Sequence, residues 1–230
     1  MHFEQMNWQM VEEYLKRDDR IMVVLGSIEQ HSGLSLLTDS LIPLKLAERA
    51  SEASGVPVAP PLHYGVSPYF LDFPGTLSLR LSTYLQVIDD LARCLHAQGF
   101  RRMLFLNGHG GNAPARTQLT ELVNAFPELD LRWYQWWTSE TVANFSKSRG
   151  LPNAHANWEE NFSFTRLGKA SSGTKALINS DERILGKEAT RALVGDGSYG
   201  GPWQVDDKLM DELFALCLAE VLKLLEFEVE

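Results

Sequence analysis

Only two of the 230 residues are cysteine, Cys94 and Cys217. They lie far apart, each in a stretch of helical periodicity, so a disulfide framework is excluded and buried, reduced thiols are expected. Positive charge is also scarce: 21 Lys and Arg stand against 30 Asp and Glu, a net charge of −9, with no basic cluster. No nucleic-acid partner and no anionic membrane partner are therefore expected. No apolar run reaches the ~18 residues of a membrane span. The opening MHFEQMNWQM lacks the charged-then-apolar order of a signal peptide, and a cytoplasmic location is expected. The glycine-rich turn at 107–112 does not read GxGxxG, and no Lys-Ser/Thr pair follows it, which argues against a phosphate-cradling loop there.

What is present suits one α/β domain over residues 1–230, because 44% hydrophobic content supports a sizeable core. The run IMVVLG at 21–26 is continuously apolar, as in a central parallel strand. Further strands are predicted at 56–59, 101–106 and 129–137. Helices are predicted at 7–16, 41–53, 82–98, 113–125, 156–167 and 206–227. Pro43 is tolerated near the start of its helix. Ser82 is placed as an N-cap and Gly99 as a C-terminal stop. Residues 62–76 read as a long loop and 169–201 as loop with one short helix, while 138–148 stays unassigned. Strands alternating with helices predict a mainly parallel sheet covered on both faces.

The chemistry gathers at strand ends, where open α/β sheets place ligands. Asn107-Gly108-His109-Gly110-Gly111-Asn112 follows a buried strand. Its glycines permit positive φ and close backbone approach, and its asparagines can tie the loop to itself. The loop after the first strand carries Glu29, His31 and Asp39. Glu29 and His31, two apart, point to one side of extended backbone. A Glu, a His and an Asp joined by His109 form a mixed N/O set suited to zinc, manganese or iron(II). A third cluster is His155-Ala156-Asn157-Trp158-Glu159-Glu160. There the two acids can also be explained by helix-dipole preference alone, and Trp158 with Phe162 by packing. His63, at a strand end, is a further candidate to face the site. Trp133, Trp136 and Trp137 suit core or subunit contact.

Four stretches together resemble the creatininase family of metal-dependent amidohydrolases: GSIEQH…TD at 26–39, YGVSPYFLDFPGT at 64–76, NGHGGN at 107–112 and HANWEEN at 155–161. The resemblance implies a three-layer α/β/α fold, two divalent metal ions per subunit (Zn, Mn or Fe) and a homohexamer. It implies that Glu29 and His109 hold one metal, His31 and Glu160 the other, and that Asp39 bridges them. His155 would be the catalytic histidine. Tyr64, Ser67, Gly110, Gly111 and Trp158 are carried as substrate-contact candidates. Three departures fall where substrate would be read. The loop EQHSGLSLLTD is one residue shorter than the family's and lacks its second His. Phe70 stands where His is frequent, and Asn161-Phe162 follows the last ligand.

The expected function is hydrolysis of a C–N bond, in a cyclic amide or formamide of a small-molecule substrate, by a metal-bridged hydroxide. His155 would protonate the leaving nitrogen. Two divalent ions against three carboxylates and one hydroxide give a neutral site, which burial favours. Two rivals remain: a metal-dependent peptidase, and a non-catalytic metal-binding or assembly protein. Of the adjacent acids, Glu160 is expected as ligand and Glu159 as a surface residue whose change costs little.

Overall fold

The computed structural model describes residues 1–168, 172–179 and 183–228. Three strands, β1 (Arg20–Leu25), β2 (Arg102–Asn107) and β3 (Asp130–Gln135), form a parallel sheet in the order β1-β2-β3. Register runs Met22 opposite Leu104 and Leu104 opposite Arg132. The far side of β1 is flanked by parallel bridges from Met22 to Val58 and from Leu25 to Leu62. The strand predicted at 56–59 is thus present as bridging backbone rather than a full strand, and β1 is interior. That position explains its unbroken apolar run.

The pleat divides the core in two. Met22 and Val24 of β1, with Leu104 and Leu106 of β2, face one side; Ile21, Val23 and Leu25, with Met103 and Phe105, face the other. On the first side pack α2 (Thr38–Ser54), α5 (Glu140–Ser148) and α7 (Asp207–Leu224), through Ile42, Leu46, Phe145, Leu213 and Val221. On the second pack α1 (Trp8–Leu15), α3 (Leu81–Gln98) and α4 (Ala115–Ala125), through Tyr14, Tyr84, Ile88 and Leu119. This is the expected α/β/α sandwich. Short α6 (Lys187–Val194) and a two-stranded ribbon, β4 (Thr174–Lys175) with β5 (Gly201–Pro202), lie in the stretch predicted as loop with one helix. Residues 169–171 and 180–182 of that prediction fall outside the described residues. Among the described residues no helix is long and apolar enough to cross a membrane.

Several expectations are corrected. Helix α2 begins at Thr38, three residues early, so Asp39 stands in its first turn and Pro43 lies beyond it. Proline lacks an N–H, so Pro43 leaves the Asp39 carbonyl without its intrahelical donor. Helix α3 starts at Leu81 with Arg80 as N-cap and no side-chain cap, so Ser82 is inside it; Gly99 does end it, at φ 112°. The unassigned 138–148 stretch is helical because Ser139 caps it, accepting from the Val142 N–H. The helix predicted at 156–167 is absent: Ala156 takes φ 55°, and only a 3-10 turn, Trp158–Glu160, follows. Cys94 is exposed, while Cys217 is buried as expected.

Gly108 locks β2 to α2. Its N–H donates to the Leu25 carbonyl. A β-carbon there would lie 1.8 Å from the Asp39 carbonyl oxygen and 2.7 Å from Pro43 Cγ. Gly108→Ala is therefore expected to destabilise by about 1–3 kcal/mol, as overpacking does. That lowers the melting temperature by roughly 2–12 °C for a domain of this size. Gly110→Ala, whose β-carbon meets nothing within 4 Å, should melt with the parent protein in the same thermal scans.

Candidate metal centre and cavity

Two loops leave the C-terminal ends of β1 and β2 side by side. The first is tied down along its length: the Glu29 N–H donates to Leu36 O and the Gln30 N–H to Thr76 Oγ1. This fixes Glu29 and His31, which are 1% and 0% exposed. In the second, Asn107 Nδ2 donates to the His109 carbonyl, and Asn112 Nδ2 donates to Gly26 O and Asn107 Oδ1. The asparagines thus bind both loops into one lattice. None of Gly108, Gly110 and Gly111 has positive φ; these glycines serve close approach. A β-carbon on Gly111 would meet the Val66 carbonyl oxygen at 1.9 Å.

Asp39 is where the loops meet. Its Oδ1 lies 3.0 Å from His31 Nε2, and its Oδ2 lies 2.9 Å from His109 Nδ1. Glu29 Oε1 stands 3.5 Å from His109 Nδ1, and Glu160 Oε1 stands 3.6 Å from His31 Nε2. Two ligand sets result, Glu29–Asp39–His109 and His31–Asp39–Glu160; a third grouping, Glu29–His31–His155, overlaps both. Ligand atoms around a four-coordinate cation at about 2.1 Å lie roughly 3.4 Å apart, close to these separations.

The hydrogen bonding also fits a cation. His31 Nδ1 faces the Glu29 carbonyl at 3.1 Å, and His109 Nε2 faces the Val66 carbonyl at 2.9 Å and Ser67 Oγ at 3.2 Å. Donation through those nitrogens leaves the other ring lone pair aimed at the carboxylates, the arrangement of a supported ligand histidine. Despite the short separations, Glu29 Oε2, His31 Nε2 and Asp39 Oδ2 are buried with no hydrogen-bond partner. Each such group costs about 1–3 kcal/mol, and divalent ions would satisfy all three.

Charge is strongly coupled here. Burial opposes ionisation of Asp39, but His31 and His109 overcome it and hold the carboxyl far below its usual range. Burial and then Asp39 act oppositely on His31, and Asp39 with Glu160 prevails, raising it well above normal. Burial likewise opposes charge on His109, yet Glu29 and Asp39 raise it to about 9. Glu29 is pushed to about 7, mainly by burial. His155 falls to about 4 through burial and the neighbouring His31.

The metal-ligand cluster floors a cavity of about 380 Å³. Tyr69, Phe70, Trp137 and Tyr199 wall it, and Asn153 and Glu159 form a polar corner. His155 stacks on Phe70 at 4.7 Å between ring centroids. Its Nε2 lies 3.0 Å from Gln30 Nε2 and 3.1 Å from the Gln30 carbonyl, and its Nδ1 lies 3.8 Å from Glu29 Oε1.

The structure thus brings Glu29, His31, Asp39, His109, His155 and Glu160 together. Of the substrate-contact candidates, Gly110 lines the cavity; Ser67 is buried behind His109, and Gly111 lies under Val66. Tyr64 and Trp158 do not line it. Tyr64 is half exposed; Trp158 is fully buried against Phe145, its Nε1 donating to Pro152 O. His63 is outside the cavity wall too, its Nδ1 buried and unpartnered. Glu159, read as a surface acid, is only 4% exposed and lines the cavity. Burial first and Glu160 second push its carboxyl to about 9. Gln30, Tyr69 and Tyr199 join the site beyond the expected residues; Gln30 and Tyr69 lie within the quoted motifs, and Tyr199 lies in loop sequence with no local signal.

This layered α/β/α fold carries, at its strand ends, a mixed carboxylate and histidine cluster of the kind that can hold divalent metal ions. The creatininase family profile, described as creatinine amidohydrolase, matches residues 4–225, and the chain belongs to that family. It is 28% identical over 58% of its length to a 3-dehydro-scyllo-inosose hydrolase of Thermotoga maritima, covering 45% of that protein. It is 30% identical over 47% of its length to a creatinine amidohydrolase of Pseudomonas putida (45% of that protein). It is 36% identical over 41% to a mycofactocin precursor peptide peptidase of Mycolicibacterium smegmatis (41% of that protein). The matched regions thus span under half the length of these curated relatives. In fold, the crystal structure of a creatinine amidohydrolase superposes with a TM-score of 0.85 at 17% identity, over 100% of this chain and 98% of that one. A manganese creatininase gives 0.82 at 18% identity, and a mutant creatininase of Zn–Zn type 0.80 at 19%; each covers 96% of this chain and 96% and 95% of its own.

The pKa shifts set a pH test. His109 rises from about 6.5 to about 9 on folding. Its contribution is complete below about pH 6.5 and is lost as pH rises through 9. Glu29, raised to about 7, acts in the same direction from lower pH. Chelated protein should therefore melt at lower temperature as pH goes from 6.5 to 9. Zinc or manganese should stabilise most at the alkaline end, because ligand histidines must be neutral. Melting curves with and without metal over that range check both; a chelated protein whose melting temperature rises toward pH 9 would contradict the cluster's electrostatics.

Proposed function

We propose that this chain is a dinuclear metal-dependent amidohydrolase that cleaves a C–N bond of a small molecule, in a cyclic amide or a formamide. Glu29, Asp39 and His109 would hold one divalent ion, and His31, Asp39 and Glu160 the second. The observation that carries the reading is Asp39, whose two oxygens face two separate ligand sets. Zinc, manganese or iron(II) suits this donor set, and manganese and zinc occur in creatininases of the same fold. Such ions, when bound, supply an acidified water and a polarised substrate carbonyl.

The chain's own groups supply positioning and proton transfer. Gln30 offers the His155 Nε2 both an amide donor and a carbonyl acceptor. Either neutral tautomer is therefore satisfied, and the proton can sit on Nε2 or on Nδ1, which faces Glu29. A histidine that exchanges tautomers at little cost is suited to hand a proton to the leaving nitrogen. Phe70 fixes the ring plane by stacking. Burial keeps His155 neutral at pH 7, so it would gain its proton during the reaction rather than carry one beforehand.

The peptidase alternative is favoured by the 36% identity to a peptide peptidase. The non-catalytic alternative predicts metal without turnover. Assembly as a homohexamer is part of the proposal on family grounds alone. Trp136 packs in the core and Trp137 lines the cavity wall, so these two tryptophans give no support to a subunit contact.

The test is metal analysis of protein purified without chelator, followed by assays on cyclic amides, N-formyl compounds and short peptides. Two ions per chain with amide or formamide turnover are expected. Protein that neither carries nor takes up zinc or manganese would sink the proposal. His155→Ala should keep its metal and lose about 10²–10⁴-fold in turnover. Glu160→Gln should lose one ion and most activity with it. Metal loss in His155→Ala would make that residue a ligand or its support instead.

A further inference from the structure

Among the described residues lining the cavity, Glu159 is the one carboxyl for which the proposed hydrolysis has no use. Its position is built, not incidental. Asn157 Oδ1 accepts from the Glu159 N–H at 2.9 Å, while Asn157 Nδ2 donates to Pro152 O and Gly200 O. The backbone is thereby pinned from two sides. Asn153 Nδ2 donates to Glu159 Oε1 at 2.7 Å. Among the described residues no hydrogen bond is recorded to the second oxygen, Oε2, and the Glu159 side chain lines the cavity.

The surroundings define what that oxygen can take. No lysine or arginine lines the cavity among the described residues, so away from the metal-ligand cluster no cationic side chain there would pair with an anionic substrate group. Tyr69, Trp137 and Tyr199 contribute aromatic rings, whose faces attract cations. Among the described residues the side chain recorded against the Glu159 carboxyl is the neutral amide of Asn153, so its charged form has no cationic side-chain partner there. We propose that Glu159, braced by Asn153, is a specificity residue that selects substrates bearing a positively charged nitrogen, an ammonium or amidinium, away from the bond that is cut. Asn153 holds the carboxyl plane; the substrate's N–H group donates to Oε2; the aromatic wall covers the cation.

This inference rests on the cavity being the substrate site, but its test needs no turnover. Binding of methylguanidinium to metal-loaded protein is measured by calorimetry, with N-methylurea as the neutral control of similar shape. Glu159→Gln keeps the volume and an oxygen for Asn153, so a merely structural role would leave it unaffected. The parent protein should prefer methylguanidinium to N-methylurea. Glu159→Gln should weaken methylguanidinium by roughly 10–100-fold, the range for a hydrogen bond to a charged group, while metal content, melting temperature and N-methylurea affinity hold. No detectable methylguanidinium binding, no preference over N-methylurea, or unchanged affinity in Glu159→Gln overturns the inference. Charge selection without hydrolysis or bound metal would sink the hydrolase reading and leave this one standing.

Discussion

A single buried carboxylate, that of Asp39, organises the site. Two histidines approach its two oxygens from loops on neighbouring strands, at 3.0 and 2.9 Å. An ion this buried is tolerable only with compensation on every side. Glu29 and Glu160 stand close by, so the protein itself adds more negative charge than its two histidines can offset. Protonating both histidines still leaves three carboxylates against two cations. The imbalance is what makes bound divalent ions the physically economical answer, independent of any likeness to other proteins.

The fold delivers Asp39 through a chain of backbone constraints. Helix α2 starts at Thr38 and meets Pro43 before its second turn is complete, which leaves the Asp39 carbonyl free of its helical partner. Gly108, at the end of β2, closes onto that carbonyl where a side chain would collide with it. One residue later His109 reaches the carboxylate of the same aspartate. Asn112 then links this turn to Gly26 at the end of β1. The two strand ends are thus registered by hydrogen bonds that do not involve the ligand side chains. Such a scaffold tolerates wide sequence change, in keeping with a TM-score of 0.85 at 17% identity.

The fold was legible where burial follows the pleat or the helix period. β1 and β2 are buried on both faces, so their runs are continuous; α3 is bounded by Gly99; α7 carries one apolar stripe. The ligand set was legible because strand-end placement and the glycine-asparagine turn concentrate it in short segments. What escaped notice depends on contacts between distant segments. No local signal places Tyr199 beside His155, since their contact crosses residues distant in sequence. Nor could periodicity foresee that Ala156 adopts φ 55°, because Trp158 and Phe162 at i,i+4 imitate a helix face that in fact divides between Phe145 and Trp136.

That misread segment is also the one on which function turns, as local rules fail most often where a site demands unusual backbone. A continuous helix would have set Glu159 beneath His155 and left the two adjacent acids about 100° apart on one cylinder. The tight turn capped by Asn157 does something else. It sends Glu160 back to the Ala156 N–H and toward His31, at 2.6 and 3.6 Å, while Glu159 goes to the opposite corner with Asn153. Two neighbouring carboxyls of the same chemical type thereby acquire different partners. One meets histidine and is held below its usual pKa by it, against the pull of burial. The other meets an amide and, among the described residues, no histidine, and burial followed by Glu160 pushes it upward. Adjacent residues have been given separate tasks by backbone geometry, and the substrate's own charge is the partner that the second one lacks.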